Sequence, residues 1–476
     1  MSAANNARWI GAIQFTKIAI QLLSIVVLSR LLDPGDFGLM ALAAAVSTFA
    51  LLFRDFGIAP AIIQKSELDE ATKSAAFWIT TLLGLGIGLL VAVAAPLIAM
   101  WMEAPALRGM LWVLACTFPI TGLSIVHQAL LERASRFALV ARIEIVASVI
   151  GFATAVISAL NGAGAYSLVF QALAFAILMS SQLLVSASWR PSGFLSRSRV
   201  KGLWKFSRDM LAFNVVNYFA RNADSLVIGK FLGPASLGAY SVAYRIMLFP
   251  LHNLTFIATR ALFPIMSRRQ SDVREIASMY AKTIGVIAFF TAPLMMGLFV
   301  LREPFVRAVF GPTWSQAADV IAWLAPIGFI QSIVSASGPV FMALGRTATM
   351  LRITLAASTL HVIGFLVGVR WSVEGVAACY LITNLIMAAP TLWVVSRCLQ
   401  SHVRTILAAI RTPVLLSLTM GAALFAARSE VVRFDMPSLA QLAILAGVGG
   451  VAYLALSHFA AGALERDVFR ALLKKA

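Results

Sequence analysis

Leu32-Asp33-Pro34-Gly35-Asp36-Phe37-Gly38 and Leu232-Gly233-Pro234-Ala235-Ser236-Leu237-Gly238 read as one turn written twice, 200 residues apart. Proline and glycine fall in register, and each stretch joins one apolar run to the next. Further along, the shift grows to 210: Arg136 and Arg142 are matched by Arg346 and Arg352, each pair heading an apolar run. Gly164 and Gly375 then open the following runs. Three landmarks in the same order make an internal repeat in which helices 1–6 recur as 7–12. Each half holds an even number of helices, so both insert the same way, and a parallel repeat relates its halves by an axis along the membrane normal.

The runs themselves call for a bilayer. Of 476 residues, 60% are hydrophobic and only 12% charged, with a mean hydropathy of +0.89. A soluble domain carries about 25% charged residues, and a spanning helix needs about 20 residues. Breaks at charges, prolines and glycines give about fourteen spans, near 8–30, 38–62, 75–101, 109–131, 138–160, 163–188, 208–231, 237–263, 281–301, 317–344, 347–369, 373–397, 404–427 and 437–460. The fold expected is an all-α polytopic membrane protein: two six-helix lobes related by a pseudo-two-fold, plus two C-terminal helices. Residues 1–188 form the N-lobe, 189–207 a basic linker, 208–400 the C-lobe, and 401–476 the last two spans and a tail. Pro326 and Pro339 predict a broken helix over 317–344, and Gly84, Gly86 and Gly88 permit close helix packing.

This composition excludes a secreted disulfide scaffold, a coiled coil and a large soluble enzyme. Cys116, Cys379 and Cys398 lie far apart in apolar runs and suggest neither disulfides nor metal ligation. The first run is too long for a cleavable signal peptide and leads straight into the next. No P-loop, metal-ligand cluster or nucleophile triad is present. Asp36-Phe37-Gly38 and Asp55-Phe56-Gly57 spell a kinase string without the rest of a kinase. Asn253-Leu254-Thr255 matches a glycosylation sequon inside an expected span. No cofactor and no nucleic-acid partner is expected.

The net charge of +18 is read as topology and as attraction to anionic lipid. With the N-terminus inside, 27 Lys and Arg fall on the inner side and 8 on the outer, which places both termini in the cytoplasm. The most basic connection, 189–208, interleaves Leu203, Trp204 and Phe206 with six cations and reads as an interfacial segment on the inner leaflet. A basic linker that only sets topology is an equal alternative.

The remaining three cations, Lys17, Arg221 and Arg245, lie within spans. In helix 1, Gln14, Lys17, Gln21 and Ser24 recur at spacings of three and four and share one face. Adding 200 leads to Asn214, Asn217, Arg221 and Asp224, a matching stripe on helix 7. An intramembrane charge costs at least ~2.5–3.5 kcal/mol and faces the bundle interior or water, so the two stripes are expected to line a central cavity. Arg245 adds a third cation on helix 8, with Tyr240 and Tyr244 one turn apart beside it. Arginine matches phosphate oxygens in a bidentate fork, lysine adds a point charge, and tyrosine and asparagine can hydrogen-bond or stack on sugar rings. The substrate expected is a phosphate-bearing molecule with a polar headgroup. The competing readings are structural: Lys17 snorkelling, Arg221 bridging Asp224, Arg245 reaching the interface, and both tyrosines packing.

Taken with Leu28 to Gly38, Phe53 to Ile58, Asp224 to Pro234, Gly238-Ala239-Tyr240, Ala343 to Thr347 and Gly375-Val376-Ala377, the chain resembles the Wzx-type flippases of the multidrug/oligosaccharidyl-lipid/polysaccharide (MOP) exporter superfamily. The likeness covers roughly 8–400 and rests on turn patterns that speak for the superfamily more than for a substrate. It implies translocation of an undecaprenyl-diphosphate-linked oligosaccharide across the bacterial inner membrane by alternating access, for exopolysaccharide or lipopolysaccharide biosynthesis. Lys17, Arg221 and Arg245 are then the positions matching the family's diphosphate-binding cations. A polysaccharide polymerase and co-polymerase would be partners, and no covalent chemistry is expected. The alternatives are a cation-coupled exporter of drugs or metabolites, against which the lack of acids in helix 1 argues, a membrane polymerase or ligase, and an assembly scaffold.

Overall fold

The computed structural model describes residues 3–53, 58–64, 68–192, 218–219, 222–251, 256–431 and 436–460. Among them every long element is an α-helix: α1 (Ala3–Leu31), α2 (Pro34–Leu52), α3 (Ile58–Gln64), α4 (Glu70–Trp101), α5 (Pro105–Ala115), α6 (Thr117–Gly122), α7 (Ile125–Arg133), α8 (Phe137–Leu160), α9 (Tyr166–Ser186), α10 (222–231), α11 (Gly233–Pro250), α12 (Phe256–Arg268), α13 (Val273–Val309), α14 (Ser315–Ser335), α15 (Ser337–Ala343), α16 (Thr347–Gly368), α17 (Val373–Cys398), α18 (Val403–Val431) and α19 (Ser438–Ala460). Ten spans pass on length and apolarity, and the bent run from Pro105 through Arg133 makes eleven among the described residues. The three other expected spans are seen in part. The first is α1, whose described apolar portion is Ile18–Leu31. The seventh is described at 218–219 and as α10, and the eighth is divided into α11 and α12 around 252–255, which lie outside the described residues.

Packing groups the chain into two compact units, Met1–Gly238 and Ala239–Ala476. The described end of the seventh span thus packs with the first unit. Tyr218 Oη donates to the Ala45 carbonyl at 2.6 Å, and Phe49 sits against the rings of Tyr218 and Phe219. Lys230 Nζ reaches Glu103 at 2.6 Å. In the first unit α4 packs on α5 and α6, and α8 packs on α9 and α1. In the second, α13 is central, with α14, α18 and α19 around it, and α17 joins α14 to α16. The two C-terminal spans therefore attach to the second unit through α13. At 37 residues, that helix is roughly 55 Å long at 1.5 Å per residue, well beyond the ~30 Å hydrocarbon core.

Local chemistry sets the helix starts. Asp33 caps α2 from an extended backbone, Pro34 occupies the first turn, and the Asp33 amide donates to Asp36 Oδ2 at 3.2 Å, closing a capping box. Asp272 and Ser372 cap α13 and α17 by accepting the amides of Glu275 and Gly375. Of the three glycines on α4, two permit close packing. A Cβ on Gly84 would stand 2.6 Å from the Phe118 carbonyl oxygen and one on Gly88 2.7 Å from that of Ala115, whereas Gly86 faces open space. Leu85, Leu89, Leu90, Val93 and Leu97 of the same helix are exposed, an apolar face suited to acyl chains.

The internal repeat reappears in the folding of both halves. Ser135 and Gly345, at equivalent places, both take left-handed backbone conformations, with φ of 57° and 66°. The following arginines close the turn alike: the Arg136 amide donates to Leu131 O at 2.9 Å, and the Arg346 amide to Phe341 O at 2.7 Å. Deep in each half, a threonine on the long helix bonds across to a broken one. Thr80 Oγ1 donates to Gly122 O at 3.1 Å, and Thr291 Oγ1 pairs with Ser332 Oγ at 3.0 Å. The turns that open the repeat touch each other within the first unit. A Cβ on Gly38 would lie 1.7 Å from the Pro234 carbonyl oxygen, and one on Gly238 1.8 Å from that of Pro34. Backbone rests on backbone here, and only glycine leaves the space.

Candidate functional site

The expected polar stripes are only partly within the described residues. The side chains of Gln14 and Lys17, and Asn214, Asn217 and Arg221 entirely, lie outside them, as does most of the basic segment 189–208. Of the first stripe, Gln21 is exposed, while Ser24 is buried and accepts from Gln171 Nε2 of α9 at 3.3 Å. Ser24 therefore serves helix packing. Of the second stripe, Asp224 is buried, and its Oδ1 accepts the Ser225 amide at 2.7 Å and the Ser225 hydroxyl at 3.3 Å.

On α11 the three expected residues differ in exposure. Arg245 is exposed. Tyr240 is only 1% exposed and stacks on the half-buried Tyr244, with ring centroids 5.7 Å apart and planes 18° from parallel. Residues four apart share a helical face, so Tyr240 backs Tyr244 from the interior and offers little surface of its own.

Tyr244 leads to a polar cluster that the sequence reading missed. Its ring lies 6.5 Å from that of Tyr380, which in turn meets His361 edge-on at 5.0 Å and Phe365 at 5.2 Å. Gln331 Nε2 donates to Tyr380 Oη at 2.7 Å and to Asn384 Oδ1 at 3.2 Å. Asn384 Nδ2 donates to the Tyr380 carbonyl at 2.8 Å. His361 Nδ1 and Thr383 Oγ1 are 2.8 Å apart, and Thr383 donates its hydroxyl to the Tyr380 carbonyl at 3.0 Å. These groups come from α14, α16 and α17, and Gln331, His361 and Asn384 line a cavity of about 390 Å³ in the second unit. The signal was available, since all three are polar residues deep inside apolar runs, the criterion applied above to helices 1 and 7.

The start of the basic segment is anchored. Arg190 Nη1 donates to the carbonyls of Leu184 and Ala187 at 2.8 Å, which satisfies the open end of α9. Trp189 Nε1 donates to Glu70 at 2.6 Å, its ring packs on buried His127, and the Ser192 amide donates to Ser74 Oγ at 3.0 Å. Among the described residues no group of histidines, cysteines and acids could hold a metal.

Known proteins are similar to this chain in sequence and in fold. The chain is 25% identical over 465 residues to the teichuronic acid biosynthesis protein TuaB of Bacillus subtilis (strain 168), covering 95% of this chain and 94% of that protein. It is 25% identical over 388 residues to the lipopolysaccharide biosynthesis protein WzxC of Escherichia coli (strain K12), covering 80% and 78%. In fold it is similar to the lipid II flippase MurJ in an inward closed conformation, with a TM-score of 0.77 and 16% identity over 97% of this chain and 100% of that one. Residues 27–319, more than half of the chain, match the family described as polysaccharide biosynthesis protein, and the chain belongs to that family.

Proposed function

We propose that the chain is a flippase that carries an undecaprenyl-diphosphate-linked oligosaccharide repeat unit across the bacterial inner membrane, for exopolysaccharide or lipopolysaccharide biosynthesis. The observation that carries this reading is a full-length likeness of fold to a lipid II flippase in a chain that belongs to a polysaccharide biosynthesis family. Lys17, Arg221 and Arg245 take the diphosphate, because cations in a low-dielectric span pair strongly with phosphate oxygens. Gln14, Gln21, Asn214, Asn217, Asp224 and Tyr244 supply polar contacts along the path, and Tyr240 holds Tyr244. No covalent bond is made or broken. Both termini are cytoplasmic, and a polymerase and co-polymerase receive the unit on the far side.

Deletion of the gene should stop polymer export and leave the lipid-linked unit on the inner leaflet. Complementation with Lys17→Ala or Arg221→Ala should give inserted protein and no polymer. Normal polymer yield from a Lys17→Ala/Arg221→Ala double variant would overturn the cation assignment. Drug resistance conferred on a sensitive host, with polymer unaffected by the deletion, would favour the cation-coupled exporter instead.

A further inference from the structure

The cavity in the second unit is built, among the described residues, with hydrogen-bonding groups but without charge. Among the described residues its lining includes Gln331, His361, Asn384, Ser358 and Thr354 beside apolar side chains, and no Lys, Arg, Asp or Glu. Its volume of about 390 Å³ falls in the range of small-molecule sites.

The hydrogen-bond inventory gives the cavity a polarity. A threonine hydroxyl has one hydrogen, and that of Thr383 goes to the Tyr380 carbonyl. Thr383 Oγ1 is then left to accept from His361, which assigns the imidazole proton to Nδ1. Neutral imidazole then leaves Nε2 as an acceptor. Gln331 commits its amide nitrogen to Tyr380 and Asn384, which leaves Oε1 as a second acceptor. Two residues on the cavity wall, from α14 and α16, thus each keep an acceptor with no partner among the described residues.

We infer that this cavity is a subsite for a neutral sugar ring of the translocated glycan, which rests on the flippase reading above. A diphosphate would need cations, and the described wall holds none. A metal ion would need anionic oxygens, and the described wall holds none of these either. A pyranose carries hydroxyl donors on its edge and C–H groups on its faces, and it answers both the acceptors and the apolar side chains. An acyl chain would leave His361 Nε2 and Gln331 Oε1 unsatisfied against hydrocarbon, which is costly.

The test uses the purified full chain in nanodiscs with two probes, a short prenyl diphosphate and the same lipid bearing a neutral disaccharide. Wild type should bind the glycosylated probe about tenfold more tightly, the worth of one or two hydrogen bonds. Gln331→Met/His361→Phe should bring that ratio to about one, and so should Ala357→Phe, which fills the cavity without removing a polar group. Equal affinity of wild type for the two probes, a ratio untouched by Ala357→Phe, or loss of the preference when a fatty acid competes would each overturn the sugar assignment while leaving the flippase reading in place. Failure of wild type to bind either probe would overturn the flippase reading and this subsite with it.

Discussion

Adding a methyl group at Gly38 or Gly238 tests the tightest backbone contact in the first unit. A Cβ at these positions would stand 1.7 Å from Pro234 O and 1.8 Å from Pro34 O, and real Cβ contacts essentially never fall below 3.0 Å. The obstructing atoms are backbone carbonyls at helix starts, and Pro34 and Pro234 have no spare rotamer to give. Each Ala variant must therefore push the two turns apart by more than an ångström. Overpacking of this kind costs about 1–3 kcal/mol per site. Because either methyl forces the same separation, the second should add little. The Gly38→Ala/Gly238→Ala double variant should fall short of the summed single losses by about 1 kcal/mol or more, a coupling typical of residues in contact. Reversible unfolding of the intact chain in mixed micelles would give all four corners of the cycle. A single variant within about 0.5 kcal/mol of wild type, as at an ordinary surface site, or strictly additive losses, would refute the crossing.

The ion pair of Lys230 with Glu103 should show in a titration. The Lys230 hydrogen bond, then its charge, hold the Glu103 carboxyl below the usual glutamate range, about 4.3. A depressed acid stabilises the contact above its ordinary pKa and loses it as pH falls through the lowered value. Carboxyl-labelled NMR should find Glu103 titrating low, and Lys230→Met should return it to the ordinary range; an unchanged midpoint would count against the pair. Arg190→Ala should free the Leu184 and Ala187 carbonyls at the end of α9 and cost about 1–2 kcal/mol, seen as faster proteolysis near 187–192. Arg190→Lys should restore part of that loss, since these bonds all leave one nitrogen, Nη1, and an ammonium likewise carries several donors on one nitrogen.

Most of the helical layout could be read from hydropathy, because a lipid-facing helix must be apolar along its length and its ends must be polar. The repeat was readable for a related reason: Pro34 and Gly38, like Pro234 and Gly238, sit where the backbone tolerates few residues. Helix breaks were less legible. The break expected over 317–344 is present, but at Ala336 between α14 and α15 and not at Pro326, which lies inside continuous α14. The polar cluster of the second unit depends on three helices whose members are dozens of residues apart. Gln331, His361 and Asn384 each show as an isolated polar residue in an apolar run, and only the folded chain reveals that they meet. Burial likewise separated Tyr240 from Tyr244, which a one-turn spacing had grouped together.

The reciprocal rest of Gly38 on Pro234 and Gly238 on Pro34 has the form of an isologous contact, in which one patch meets its own copy. The two sides differ in detail around this shared contact: Asp36 closes the capping box of α2, whereas Ser236 stands at the matching place of α11.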